Sequence, residues 1–185
     1  MFSALYYGTN HMLGVDSYVP IMTNNFEIRI YSNGGLTGTG TQTSYSDLLT
    51  LSTDSIGAIE ENQDDITVHY GNGIIRFPTK VTYGDVNWTL NCYCSPDVAG
   101  KLQEWRQQVY DPITERMGLP TEYMRNVYFI RYDPQWNCKQ AIRCPGTWIK
   151  GLNYGDYNQA GGNVVQVQTT LVISKAFYMS EADLN

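Results

Sequence analysis

The sequence predicts a mainly β protein: an antiparallel β-sandwich or barrel with one flanking α-helix, forming a single domain over residues 1–185. Three observations carry that expectation. Among the 185 residues, 17 are glycine and 15 tyrosine while only 16% are charged, a balance suited to half-buried strands and tight turns. Most patterned segments repeat their apolar residues at every second position, the period of a strand. Only one segment, residues 96–110, combines helix start signals with an apolar stripe at helical spacing.

Residues 1–24 lack a clear period and read as an extended arm. Over Asn25–Tyr31, Phe26, Ile28 and Ile30 alternate with Glu27, Arg29 and Tyr31, which predicts a half-buried strand. Residues 32–46 hold Gly34, Gly35, Gly38 and Gly40 among Thr and Ser, the makings of a loop. Leu48–Ile59, with Leu49, Leu51 and Thr53 alternating, predicts a second strand. The acidic run Glu60–Asp65 reads as a turn or loop base. After it, Ile66–Tyr70 and Ile74–Phe77 flank Gly71-Asn72-Gly73, a hairpin turn, so residues 59–78 form a hairpin excursion.

Beyond Asp85 a strand is expected with Val86, Trp88, Leu90, Cys92 and Cys94 on its apolar face. Ser95 as N-cap, Pro96 at the first helical position and Asp97 in the first turn open the helix. Its core stripe is Val98, Leu102, Trp105 and Val109. Asp111-Pro112 ends it, Ile113–Met117 reads as one further turn, and Gly118-Leu119-Pro120 breaks the pattern. Strands follow at Val127–Tyr132 and Gln140–Lys150, joined by a turn around Pro134. Finally, Val164–Tyr178 predicts one strand about twice the usual length. Val165, Val167, Thr169, Leu171 and Ile173 form its core face, and neutral polar groups begin the other. So long a strand leaves an edge that must be covered or paired, which points to partner subunits.

The remaining features narrow the function. A net charge of −6 argues against a conventional nucleic-acid binder, whose affinity rests on Lys and Arg neutralising phosphate. No apolar stretch approaches the ~18 to 20 residues that span a bilayer, so no membrane insertion is expected. The first residues carry neither a basic region nor a long apolar one, so cytosolic synthesis and reduced cysteines are expected. Cys92 and Cys94 sit two apart on a strand, unlike a zinc knuckle, and together with Cys138 and Cys144 they read first as core thiols, ahead of disulfides or zinc. His11 and His69 are isolated, and Gly34–Gly40 lacks the Lys and the helix of a phosphate loop. No catalytic residue, metal or cofactor is expected, and the chain does not read as an enzyme.

The order of elements carries a resemblance. The strand pair Lys80–Leu90 enters the helix with Trp105, and Thr147-Trp148-Ile149-Lys150-Gly151-Leu152 precedes a loop and a terminal strand ending in an aromatic residue. This resembles the tail tube proteins of tailed bacteriophages, particularly the contractile-tailed group, over roughly Phe26–Tyr178. The cysteine pairs and the Gly/Thr-rich loop depart from that pattern. The resemblance implies hexameric rings stacked into a tube, with strands of all subunits completing one barrel around a lumen through which DNA passes. It implies as partners further copies of the chain, a sheath, a tape-measure protein and baseplate or neck proteins. The implied location is the virion tail, assembled in the host cytoplasm.

Against that background Asp54, Glu60, Glu61, Asp64 and Asp65 are the candidates for an acidic lumen. Ile66, Val68, Tyr70, Ile74, Ile75 and Phe77 are candidates for ring-to-ring stacking, because in a monomer so many apolar residues on a hairpin need an explanation, the alternative being a plain hairpin folded onto its own core. Two structural alternatives share the pattern: the inner tube protein of a contractile injection or type VI secretion system, and a tube-initiator or terminator paralogue. A small β-barrel ligand-binding protein is the alternative from another class, and no residue pattern supports it.

Overall fold

A computed structural model of the protein describes residues 21–32, 41–43, 45–157 and 162–180. Most of the expected arm (residues 1–20) and most of the expected Gly/Thr-rich loop (33–40 and 44) lie outside them. The described elements are almost all antiparallel strands. Their sheet runs β2 (Thr41–Gln42), β1 (Phe26–Ser32), β9 (Arg125–Tyr132), β10 (Cys138–Asn153), β11 (Gln166–Val172), β6 (Val86–Asn91), β3 (Thr53–Ile56), with β12 (Phe177–Ser180) also on β10. The mainly β, antiparallel architecture expected from composition and alternation is the one observed.

The spine is β10, at 16 residues the longest strand. Its first part pairs with β9 and β12, and its second part with β11. The register shifts between Cys144 and Thr147, where Pro145 lacks a ladder donor and Gly146 takes a φ of 73°. One strand thus passes from one half of the sheet to the other. The inner faces of both halves share a core: Ile28, Ile30, Val127 and Cys144 from one, Val86, Trp88, Leu90, Val167 and Leu171 from the other.

Into this core α2 (Val98–Val109) inserts Val98, Leu102, Trp105 and Val109, all buried. Trp105 also donates its indole N–H to the Tyr123 carbonyl at 2.8 Å, at the end of the short α3 (Pro120–Tyr123). The helix starts later than the sequence suggests. Asp97, not Ser95, is the N-cap, and its carboxylate accepts from the Gly100 N–H at 2.8 Å. A Cβ on Gly100 would lie 2.2 Å from that carboxylate, so a larger residue there would make the capping side chain shift. After α2 the chain forms not a further turn but a small hairpin, β7 (Tyr110–Asp111) with β8 (Arg116–Met117). Asp111 holds its bend by accepting from the Ile113 N–H and the Thr114 hydroxyl.

Two strand expectations are corrected. Leu48–Ile59 is not one strand: α1 (Ser46–Ser52) precedes the short β3. Tertiary pairing explains the switch. The Ser46 hydroxyl accepts from Ile30 N–H at 3.0 Å and donates to Ile30 C=O at 3.1 Å, while Thr50 does the same for Ile28 at 3.1 and 2.8 Å. Residues four apart on a helix rise about 6 Å, close to the ~6.7 Å between alternate residues of a strand. Two hydroxyls on one helix face therefore satisfy the edge of β1 that β9 leaves open.

The second correction concerns the terminal strand. Val164–Tyr178 is divided into β11 and β12, which pair with different parts of β10. Val167, Thr169, Leu171 and Ile173 are buried as the alternation requires, but Val165 is exposed. The cysteines also differ from expectation. Strand β6 ends at Asn91, Cys94 is exposed, and only Cys144 is fully buried, where burial pushes its thiol pKa up to about 12.

Candidate functional site

The hairpin is the feature that sets this molecule apart from a self-sufficient sandwich. β4 (Glu61–Tyr70) pairs with β5 (Gly73–Tyr83) in a separate two-stranded sheet. Every residue from Glu61 to Thr82 is exposed. The turn is two residues, Gly71-Asn72, with Gly71 at a φ of 58°, as a type II′ turn requires at its first central position. Lower down, the register shifts between Gln63 and Asp65 opposite Pro78, which has no N–H to give. Thr79 spans that bulge by donating to the Asp64 carbonyl at 2.9 Å.

Register decides what the hairpin presents. Ile66 faces Phe77 and Val68 faces Ile75 across the ladder, and Tyr70 follows on the same side. These make one continuous apolar face. The reverse face carries Thr67, His69, Ile74 and Arg76, so Ile74 stands apart from the other stacking candidates. Tyr70 is 78% exposed and Ile66 54%, although an apolar ribbon face gains stability only when something covers it.

The acidic candidates fall in two places. Asp54 lies on β3 where its pairing with β6 shifts, at the rim of a cleft of about 580 Å³. That cleft opens between β3 and the β1–β9–β10 side, with Phe26, Ile56, Ile59, Phe129 and Ile142 on its walls. Glu60, Glu61, Asp64 and Asp65 cluster at the root of the hairpin, and the run expected as a turn or loop base is strand from Glu61 on, because it pairs with the residues up to Tyr83. Asp65 pairs with Arg76 at 3.4 Å, and the Glu60 carbonyl accepts from Gly84 N–H at 3.0 Å.

The two halves of the sheet present contrasting outer faces. On the β10–β11–β6 half, Asn87 aligns with Thr170 and Gly151, Thr89 with Gln168 and Asn153, and Asn91 with Gln166. This face is polar and uncharged. Its side chains bond across strands, Gln166 Nε2 to Asn91 Oδ1 at 3.2 Å and Thr170 Oγ1 to Asn87 Oδ1 at 3.3 Å. An ion pair, Lys150 with Asp85 at 2.7 Å, closes one end of it, Asp85 preceding Asn87 on the same alternation and Lys150 preceding Gly151 in β10.

On the other half, Arg29, Tyr128, Arg143 and Phe177 align across β1, β9, β10 and β12. Beside them Arg29 holds Glu27 by two bonds of 2.6 and 3.0 Å, and Tyr132 donates its hydroxyl to the same carboxylate. The Arg29 bond, partly opposed by burial, holds the Glu27 pKa below the usual carboxylate range. Burial, then the Glu27 bond, pushes Tyr132 up to about 12. The Glu27 cluster was not singled out from sequence, whereas the neutral polar side of the terminal strand was, though not its alignment with Asn87, Thr89 and Asn91.

The arrangement contains a core, a largely uncharged wall, a charged aromatic wall and an apolar ribbon exposed to solvent. Comparison with solved structures shows whose fold this is. Over 87% of this chain and 91% of the other, the fold matches the tube-terminating cap of the anti-feeding prophage with a TM-score of 0.64 at 12% identity. A protein of the sheath–tube complex of the PVC extracellular contractile injection system matches at 0.63 and 10% identity, covering 94% of this chain and 98% of that one. The tail tube of SPP1 matches at 0.50 and 14% identity, over 87% of this chain and 80% of that one. No family model matches the sequence, and no curated protein matches it significantly. The chain therefore has the fold of tail-tube-like proteins, as the order of its elements suggested.

Proposed function

We propose that this protein is the structural subunit of a phage tail tube, in which hexameric rings stack into a conduit for genome ejection. The projecting hairpin carries the reading. A ten-residue strand, β4, with an apolar face directed at solvent has no role in a solitary molecule, but forms a contact once another copy covers it. Ile66, Val68, Tyr70, Ile75 and Phe77 are assigned to that ring-to-ring contact. The exposed edges of β3 and β12 are available for strand pairing between neighbours around a ring, which removes sheet edges by closure. The role is mechanical and requires no catalytic group. Sheath, tape-measure and baseplate or neck proteins would meet the assembled tube in the virion tail, after assembly in the host cytoplasm.

A terminator role is the second reading, favoured by the likeness to the prophage cap. It predicts a single ring that halts growth rather than a filament. Electron microscopy of the purified protein tests both. Hollow filaments support a tube subunit, isolated rings support a terminator, and a monomer that never associates at high concentration or with seeds overturns both.

A further inference from the structure

We infer that the uncharged outer face of the β10–β11–β6 half is the wall past which double-stranded DNA moves, so that the lumen is lined by neutral amides and hydroxyls rather than by carboxylates. This rests on the proposed tube role and departs from the acidic lining expected from composition. Three observations support it. First, Asn87, Thr89, Asn91, Gln166, Gln168 and Thr170 share one face by register, in a chain that carries 18 acidic and 12 basic residues elsewhere. Charge enters only at one end, as the compensated Asp85–Lys150 pair. Second, the acidic candidates are not on this face: Asp54 rims the cleft between the halves, and the others stand at the hairpin root. Third, the opposite outer face is rich in Arg and aromatic residues, the composition that favours protein contact. The face depleted in such groups is the one suited to avoiding contact.

The chemistry fits a duplex in transit. DNA carries about one charge per 1.7 Å of axis, and Lys or Arg along the wall would bind it with release of counterions. A carboxylate wall would instead repel phosphate and make passage depend on salt. Amides and hydroxyls already bonded to one another, as Gln166 is to Asn91 and Thr170 to Asn87, offer neither strong capture nor strong repulsion. Passage along such a wall is nearly independent of ionic strength.

The test begins with tubes of the full chain bearing Gln168→Cys, or separately Thr89→Cys, in a Cys94→Ser background. A maleimide gold cluster is attached and imaged by electron microscopy, with the Cys94→Ser tube as the blank. Gold along the tube axis supports the inference. Gold on the outer surface, with tubes otherwise intact, overturns it while leaving the tube role standing. If both variants block assembly of a chain that otherwise forms tubes, the face is a subunit contact and the inference is equally overturned. The chemical claim is read with a short DNA duplex mixed with tubes and sedimented. Unaltered tubes should retain almost none at any salt. Thr89→Lys with Gln168→Lys should raise nuclease-protected retention on the order of 10-fold at low salt, fading as salt rises. Strong salt-dependent exclusion or retention by unaltered tubes would sink the neutral-wall claim.

Discussion

The body of the sheet and the hairpin obey the same alternation but differ in what covers it. In β6, Val86, Trp88 and Leu90 are fully buried against the opposite half and α2. In β4, Ile66, Val68 and Tyr70 alternate just as regularly and stand in solvent. A strand's pattern states which face wants cover, and cannot state whether the cover comes from the same chain. The comparison separates residues that hold the fold together from residues that only the proposed assembly would cover.

The sharpest way to break that distinction is to attack the body. Trp88→Ala removes a large buried side chain and its 2.9 Å bond to Thr53 Oγ1, so a loss of about 3–5 kcal/mol is expected in denaturant unfolding. A loss under 1 kcal/mol would mean the two halves do not share a core. Next comes the edge of β1. Ser46→Ala leaves the outward N–H of Ile30 without a partner, while its C=O keeps the Thr43 N–H and hydroxyl, and about 1–3 kcal/mol should be lost. Amide exchange at Ile30 should accelerate in that variant, and unchanged protection would show that the helix does not cap the strand. Smaller again is the helix cap, where Asp97→Ala should cost about 1 kcal/mol and Asp97→Asn much less.

The Glu27 cluster gives a pH-dependent effect. Its carboxyl pKa is lowered in the fold, so its stabilisation is complete above the unfolded value of about 4.3 and is lost as pH falls through the lower folded value. Glu27→Gln should flatten that acid limb of the stability profile, and an unaltered limb would assign it to other carboxylates. The smallest effect on the lone subunit is expected from the hairpin. Ile66→Ser with Phe77→Ser should move subunit stability by no more than about 0.5 kcal/mol, yet abolish tube formation. Normal tubes from that variant would remove the hairpin from the stacking contact.

Much of this was readable before any coordinates. The helix stripe at Val98, Leu102, Trp105 and Val109 is spaced for one face, and the Gly71-Asn72 turn could serve few other purposes. The failures have physical causes. Leu49, Leu51 and Thr53 alternate like a strand, but Ser46 and Thr50 also sit one helical turn apart, and the open edge of β1 made that second pattern the stronger one. Val164–Tyr178 alternates without interruption, yet the two registers offered by β10 divide it. The acidic residues drew attention by their charge, whereas the uncharged face is defined by what it lacks.

Periodicity, turn chemistry and composition were enough to determine a β-rich fold with one packed helix and an apolar hairpin, because each depends on residues close together in the chain. Which strands share a face, where β10 passes between halves, and which apolar face remains uncovered were settled only in three dimensions. Those features depend on cross-strand register and on the hydrogen bonds still open at an edge, and both are properties of neighbours far apart in sequence.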